Sequence, residues 1–246
     1  MKILVTNDDG VFSDGLRILA QTVETLGEVY VVAPDRERSA AAHSLTLHRP
    51  LRVEEISPRV YAVDGTPVDC VNLAVYGILK AHPDLVISGI NNGPNLGEEL
   101  VYSGTVSAAF EATFLGIPAF AISLAARKEF RYQSAADFAL QVAAHIMRVG
   151  LPADTLLNIN VPNVDAEEIR PYKITKQGKR VFADAVVEKV DPRGKKYYWL
   201  GGGDQGFQEI EGTDFHAIAN KHISITPLCV DLTNHAAVQE LEGWKL

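Results

Sequence analysis

Long apolar runs, clustered cysteines and a surplus of positive charge are all missing from this 246-residue chain. No stretch approaches the roughly 20 apolar residues of a membrane span, so no membrane partner is expected. Lys2 precedes only three apolar residues before the polar Thr6-Asn-Asp-Asp9 run, so the N-terminus does not read as a signal peptide. The two cysteines, Cys70 and Cys229, form no CxxC or other metal-ligand spacing, which argues against a structural zinc site and a disulfide scaffold. Both read as reduced, buried small residues of a cytoplasmic protein. A net charge of -8 argues against a nucleic-acid polymer as partner, though not against a small anionic substrate held through a cation. No GxGxxG follows the first strand, which makes a dinucleotide cofactor unexpected.

What is present is an ordinary globular composition, 47% hydrophobic and 22% charged, long enough for a full α/β core. Lys2 to Thr6 is short, β-branched and apolar, and reads as a buried strand. Leu16, Leu19, Ala20, Val23 and Leu26 follow helical spacing up to Gly27, and 28–34 is a second strand. A polar, Ala-rich loop spans 35–50, and 51–56 with 60–64 suggests an inserted hairpin. Thr66-Pro67-Val-Asp69 starts a helix by its cap, its proline and its acid. Strands are expected at 84–90, 119–124 and 155–161, with helices at 104–115 and from Ser134 onward. This alternation predicts an α/β fold with a doubly wound, mostly parallel sheet over residues 1–165. Residues 166–246 read as a C-terminal extension. Two extended arms, 172–190 and 195–200, join at the turn Asp191-Pro-Arg-Gly194, followed by a Gly-rich stretch 201–206 and a return strand 222–227. An uncovered hairpin is an edge-pairing hazard, so it reads as an oligomerisation arm.

Three loops should converge beyond the carboxyl ends of the first strands, where open α/β sheets bind ligands. The first carries Asp8 and Asp9, the second Ser39, the third Asn91, Asn92 and Asn95. Two carboxylates about 4 Å apart repel by roughly 4 kcal/mol at an effective dielectric near 20. A hard divalent cation such as Mg²⁺ or Mn²⁺, bound by oxygen donors, would relieve them. Tyr102-Ser103-Gly104-Thr105 precedes a helix, where free N–H groups and two hydroxyls form an anion cradle; simple helix capping is the alternative use of those hydroxyls. A cation facing an anion cradle suits a phosphate ester. His43, in the second loop, reads either as a proton donor to a leaving group or as a solvated, hydrogen-bonded histidine.

Taken together, Asn7-Asp-Asp-Gly10, Ala33-Pro-Asp-Arg-Glu-Arg-Ser39, Gly65-Thr-Pro-Val-Asp-Cys70, Ser88-Gly-Ile-Asn-Asn-Gly-Pro-Asn95 and Tyr102-Ser-Gly-Thr-Val106 resemble the SurE family. These are stationary-phase survival proteins that act as metal-dependent 5′-nucleotidases. Asn158-Ile-Asn-Val-Pro162 and Ser224-Ile-Thr-Pro-Leu228 extend the likeness over nearly the whole chain. The resemblance implies metal ligands at Asp8, Asp9, Ser39 and Asn91, one divalent cation per subunit, and a phosphate-side role for Asn95, Ser103, Gly104 and Thr105. It implies a Rossmann-like α/β core, a nucleoside monophosphate substrate and a homodimer or homotetramer built through the C-terminal part. Asp8 and Asp9 are the expected catalytic residues. Their adjacency, in place of an Asp-x-Asp spacing, favours attack by water over an aspartyl phosphate. Rival readings are a broader phosphatase acting on 3′-nucleotides or polyphosphate, and a non-catalytic nucleotide sensor. One departure is Lys221-His222, where the family pattern has a glycine followed by an aromatic.

Overall fold

The computed structural model describes residues 1–181, 186–200 and 206–244, of Leu200 the backbone alone. The apolar segments of the N-terminal half form β1 (Lys2–Thr6), β2 (Glu28–Pro34), β3 (Val53–Ser57), β4 (Val60–Val63) and β5 (Leu85–Asn92). β6 (Ala119–Ala125) and β7 (Thr155–Pro162) follow, then β8 (Arg170–Ile174), β9 (Arg180–Val181), β10 (Val186–Val190), β11 (Lys196–Leu200), β12 (Gly206–Phe207) and β13 (His222–Cys229). The helices are α1 (Asp14–Val23), α2 (Pro67–Asn72), α3 (Gly104–Phe114), α4 (Tyr132–Val149), α5 (Asp214–Ala219) and α6 (His235–Leu241). Among the described residues no helix is long and apolar enough to cross a membrane.

One nine-stranded sheet runs β3-β4-β2-β1-β5-β6-β7-β13-β8. The run from β4 to β7 is parallel, and β3 and β13 pair antiparallel with β4 and β7. Strand periodicity divides the core into two layers. Ile3, Val5 and Ile87 face one side, where Leu16, Leu19, Val23, Ala139, Val142 and Ile146 of α1 and α4 cover them. Leu4, Val32, Val86 and Ala121 face the other, against Val71 of α2 and Val106, Ala109 and Ala112 of α3. The small residues of α3 let it lie close to the sheet, and the site is built around its N-terminus.

Local chemistry explains the helix starts. Ser13 Oγ accepts from Leu16 N at α1. Thr66 and Asp69 form a reciprocal capping box at α2, with Pro67 in the first turn, as its sequence suggests. The chain leaves α-helical geometry at Leu73 and continues to Ile78 as a π-turn.

The chain departs from the sequence reading in four places. β5 extends through Asn91 and Asn92, which pair with Ser123 and Leu124 after a register shift beyond Ser88. Gly89 sits at that irregularity with φ +144°, where a Cβ would lie 2.3 Å from Ile122 O, so only glycine fits. The expected arm 172–190 is divided: β8 joins the main sheet beside β13, and β9 pairs with β12. Only β10 and β11 form the hairpin, in the register Val186↔Leu200 to Val190↔Lys196. Its turn is closed by Asp191, whose carboxylate accepts from Arg193 N and Lys195 N, with Gly194 at φ +80°. Phe182 and most of the Gly-rich stretch lie outside the described residues. α5 and α6 carry no counterpart in the sequence reading. Finally, Cys70 is buried but Cys229 is exposed, because it is the last residue of β13, at the sheet's rim.

Candidate active site

The loop after β1 is folded by Asn7. Its fully buried amide donates to Gly10 O and Ser13 Oγ and accepts from Gly10 N, leaving Asp8 and Asp9 at the strand's carboxyl end. Gly10, at φ +102°, lets this loop touch the second loop: a Cβ there would lie 3.0 Å from Arg36 C. Arg38 N then donates to Asp8 O at 2.7 Å, which fastens the loop carrying Ser39 to the loop carrying the aspartates. Between Ser39 and His43, Ala40 (φ +55°) and Ala42 (φ +51°) adopt the left-handed conformation. Each costs about 1–2 kcal/mol for a residue with a Cβ, so local backbone strain collects beside the site.

Asp8 is 7% exposed, and its Oδ1 accepts from the Thr105 hydroxyl. Burial pushes its carboxyl above the usual range despite that bond. Asp9 accepts from Asn92 N at 3.0 Å, yet burial first, and the Asp8 charge second, push it up to about 7. Glu37 adds to the repulsion on both. The two aspartates open onto a cavity of about 500 Å³. Among the described residues its other acids are Glu37 and Glu99, its neutral polar groups include Ser39, Asn91, Asn95 and Ser103, and no lysine or arginine lines it.

The supporting bonds orient the neutral groups. Asn91 Nδ2 donates to Gly93 O, which leaves the amide oxygen as acceptor. The Ser39 hydroxyl donates to Glu37, so its lone pairs stay available. Asn95 is buried, donates to Ser123 Oγ, and is held by Asn158 and Asn160, whose amides both donate to Asn95 O at 2.9 Å. Asn160 also accepts from Asn95 N. Among the described residues no three His, Cys, Asp or Glu side chains gather as a metal cluster. This site offers two crowded carboxylates with hydroxyl and amide oxygens around them. That all-oxygen set with excess negative charge fits a hard divalent cation and is unsuited to a soft one.

At the start of α3, Ser103 lines the cavity while its Oγ caps the helix through Val106 N. Gly104 is pressed against Asp8, where a Cβ would lie 2.8 Å from Asp8 Cβ. Thr105 is fully buried, and neither it nor Gly104 lines the cavity. The hydroxyl expected to face phosphate is committed to Asp8. His43 also lies off the cavity lining: its Nε2 meets Glu111 Oε2 at 2.7 Å and its ring stacks on Phe114.

Residues 3–184 match the family model described as Survival protein SurE. The chain belongs to the SurE family. It is 56% identical to "5′-nucleotidase SurE" of Pelobacter propionicus over 245 residues, 99% of both chains. Its identity to the protein of that name from Geotalea daltonii is 53% over 247 residues, the whole of both. Identity to the Geobacter sulfurreducens protein is 56%, over 100% of this chain and 94% of that one. Its fold matches the crystal structure of the SurE protein from Aquifex aeolicus with a TM-score of 0.90 and 44% identity, over 98% of each chain. The departure at Lys221-His222 also finds a local account. Lys221 sits at φ +61°, a conformation glycine would adopt without cost, and its Nζ pairs with Glu168 at 2.5 Å.

Asn158, Asn160 and Ser123 are supporting residues that sequence reasoning gave no role. A signal was present: two asparagines two apart on an otherwise apolar strand share one face and need partners once buried.

Proposed function

We infer that this chain is a 5′-nucleotidase, a phosphomonoesterase that hydrolyses nucleoside 5′-monophosphates with the help of a divalent cation. The observation that carries the reading is the cavity at the strand ends, where Asp8 and Asp9 are crowded with no basic residue among the described lining, in a chain collinear with proteins named 5′-nucleotidase SurE.

In this reading Asp8, Asp9, Ser39 and Asn91 hold the cation, with Mg²⁺ or Mn²⁺ preferred and one ion per subunit. When bound, the cation neutralises charge on phosphate oxygens and acidifies water. The chain's own residues do the positioning. Thr105 fixes Asp8 in one rotamer, and Asn92 N fixes Asp9. Asn95, immobilised by Asn158 and Asn160, and Ser103, at the helix start, are read as the phosphate-side donors, with Gly104 letting Asp8 approach that helix. Adjacent aspartates both engaged as ligands leave water as the preferred nucleophile.

The division into a core, 1–165, and an extension, 166–246, is part of this proposal, with one amendment. β8 and β13 hydrogen-bond into the main sheet, so the separable part is the β10–β11 hairpin. Every described side chain of its two strands is exposed, Trp199 by 61%, which supports a homodimer or homotetramer assembled through it. Two unpaired cysteines, one of them exposed, suit a reducing compartment, and the proposed setting is the cytoplasm.

A phosphate-release screen over 5′- and 3′-mononucleotides and polyphosphate, each with Mg²⁺, Mn²⁺ or chelator, tests the assignment. Release from 5′-mononucleotides with either metal is expected. A faster reaction with polyphosphate would favour the broader phosphatase, and binding without release would leave a sensor.

A further inference from the structure

Asp214 is fully buried, far in sequence from the cavity, and absent from its lining. Its Oδ2 accepts from Gly97 N at 2.8 Å, and its Oδ1 from Gly178 N at 2.9 Å and Phe215 N at 2.8 Å. Three distant segments therefore meet on one carboxylate. The approach is close enough to require glycine on both sides. At Gly97, with φ +55°, a Cβ would lie 2.5 Å from Phe215 Cε2; at Gly178 it would lie 2.6 Å from Phe215 Cδ2 and 2.7 Å from Asp214 Oδ1. Gln177 Nε2 closes the knot by donating to Gly97 O at 3.0 Å.

Gly97 opens the 3₁₀ turn Gly97–Tyr102, which brings Glu99, Tyr102 and Ser103 to the cavity. The same turn is gripped two residues beyond Gly178. Arg180 N donates to Glu98 Oε2 at 2.8 Å, and its guanidinium pairs with Glu99 at 2.5 Å. Arg180 begins β9, the strand that precedes the β10–β11 hairpin in the chain.

We propose that Asp214 is a positioning residue that holds the 97–103 rim of the cavity from the root of the hairpin. The C-terminal part thus sets the geometry of a site to which its described residues contribute no lining side chain. A carboxylate can accept from Gly97 and Gly178 together. An amide in its place accepts from one and turns an N–H toward the other.

The test is Asp214→Asn in the full chain, beside Thr175→Val just after β8. The Thr175 hydroxyl is buried between Ser224 and Thr226, so its loss removes interior hydrogen bonds without touching the rim. Amides 98–103 should exchange hydrogen for deuterium about tenfold faster in Asp214→Asn than in wild type or Thr175→Val, the scale of one lost charge-assisted hydrogen bond. KM for a 5′-mononucleotide should rise about tenfold and kcat change less than about threefold, since rim contacts are lost from bound substrate and transition state alike. Gln177→Ala should move both readouts the same way by a smaller factor, and it carries the test if Asp214→Asn does not fold. Unchanged rim exchange and KM in these variants, with a melting temperature lowered as in Thr175→Val, would overturn the proposal. The KM readout rests on the nucleotidase reading and the exchange readout does not. A wild-type protein inert on every mononucleotide would therefore sink that reading, and exchange alone would decide the role of Asp214.

Discussion

Replacing Asp9 with asparagine should stabilise the metal-free protein while destroying its response to metal. The Asp9 carboxyl stands at about 7 in the folded chain against 3.8 for the free side chain, raised by burial and by Asp8. At about 1.36 kcal/mol per pKa unit this gap corresponds to about 4 kcal/mol. Asp9 is only half-buried, and solvent screening reduces the usable part to about 2 kcal/mol. The sign follows from the direction. A folded-state pKa above the unfolded one gives relative stability that is complete below about pH 4 and is lost as pH rises through about 7. Asp9→Asn removes that loss and keeps an oxygen for Asn92 N. In excess chelator at pH 8 its melting temperature should exceed wild type by about 4–8 °C, at 2–4 °C per kcal/mol for a chain of this size. At pH 5, still above the unfolded-state pKa, the advantage should fall to roughly 40% of that, and it should nearly vanish by about pH 3. Added Mn²⁺ should raise the wild-type melting temperature and leave the variant's unchanged, because only a site that binds gains the linkage term. Equal melting curves in chelator at both pH values, or equal stabilisation by Mn²⁺, would refute the reasoning about a crowded anionic site.

Thr105→Val removes the hydroxyl that fixes Asp8 and should weaken Mn²⁺ binding by about 10- to 100-fold, read by calorimetry, with the fold retained; unchanged affinity would show that Asp8 needs no such partner. Gly104→Ala places a methyl 2.8 Å from Asp8 Cβ and should lower kcat/KM by at least about tenfold in a phosphate-release assay, because the Asp8 loop must shift; wild-type activity would show that the loop yields freely. Replacing residues 186–200 with a short Gly/Ser linker should give smaller assemblies or aggregates by light scattering. An intact protein at its 26.8 kDa monomer mass would contradict the oligomerisation arm.

The sheet and its two helical layers were legible because each buried strand is a short apolar run and the helices between them keep apolar spacing, with the start of α2 marked by its cap at Thr66. The aspartate pair, Ser39, the asparagines and Ser103 were legible as a converging set because strand order alone brings those loops together. What stayed hidden depends on pairing across the chain. Nothing in Ser88-Gly-Ile-Asn-Asn reveals the register shift that keeps Asn91 inside a strand, since the reason is the backbone of Ile122. The hydroxyl of Thr105 reads as a phosphate donor until Asp8 is seen against it. The break in the 172–190 arm turns on Gly178 meeting Asp214, a contact 36 residues apart.

The most direct test of the central claim is phosphate release from a 5′-mononucleotide by wild type and Asp8→Asn, each assayed with Mn²⁺ and again in excess chelator. Release by the wild type with metal only is expected, and at least about 100-fold less from the variant, the scale of removing a principal electrostatic group. Undiminished release by the wild type in chelator, or near-normal turnover by Asp8→Asn, would contradict that claim.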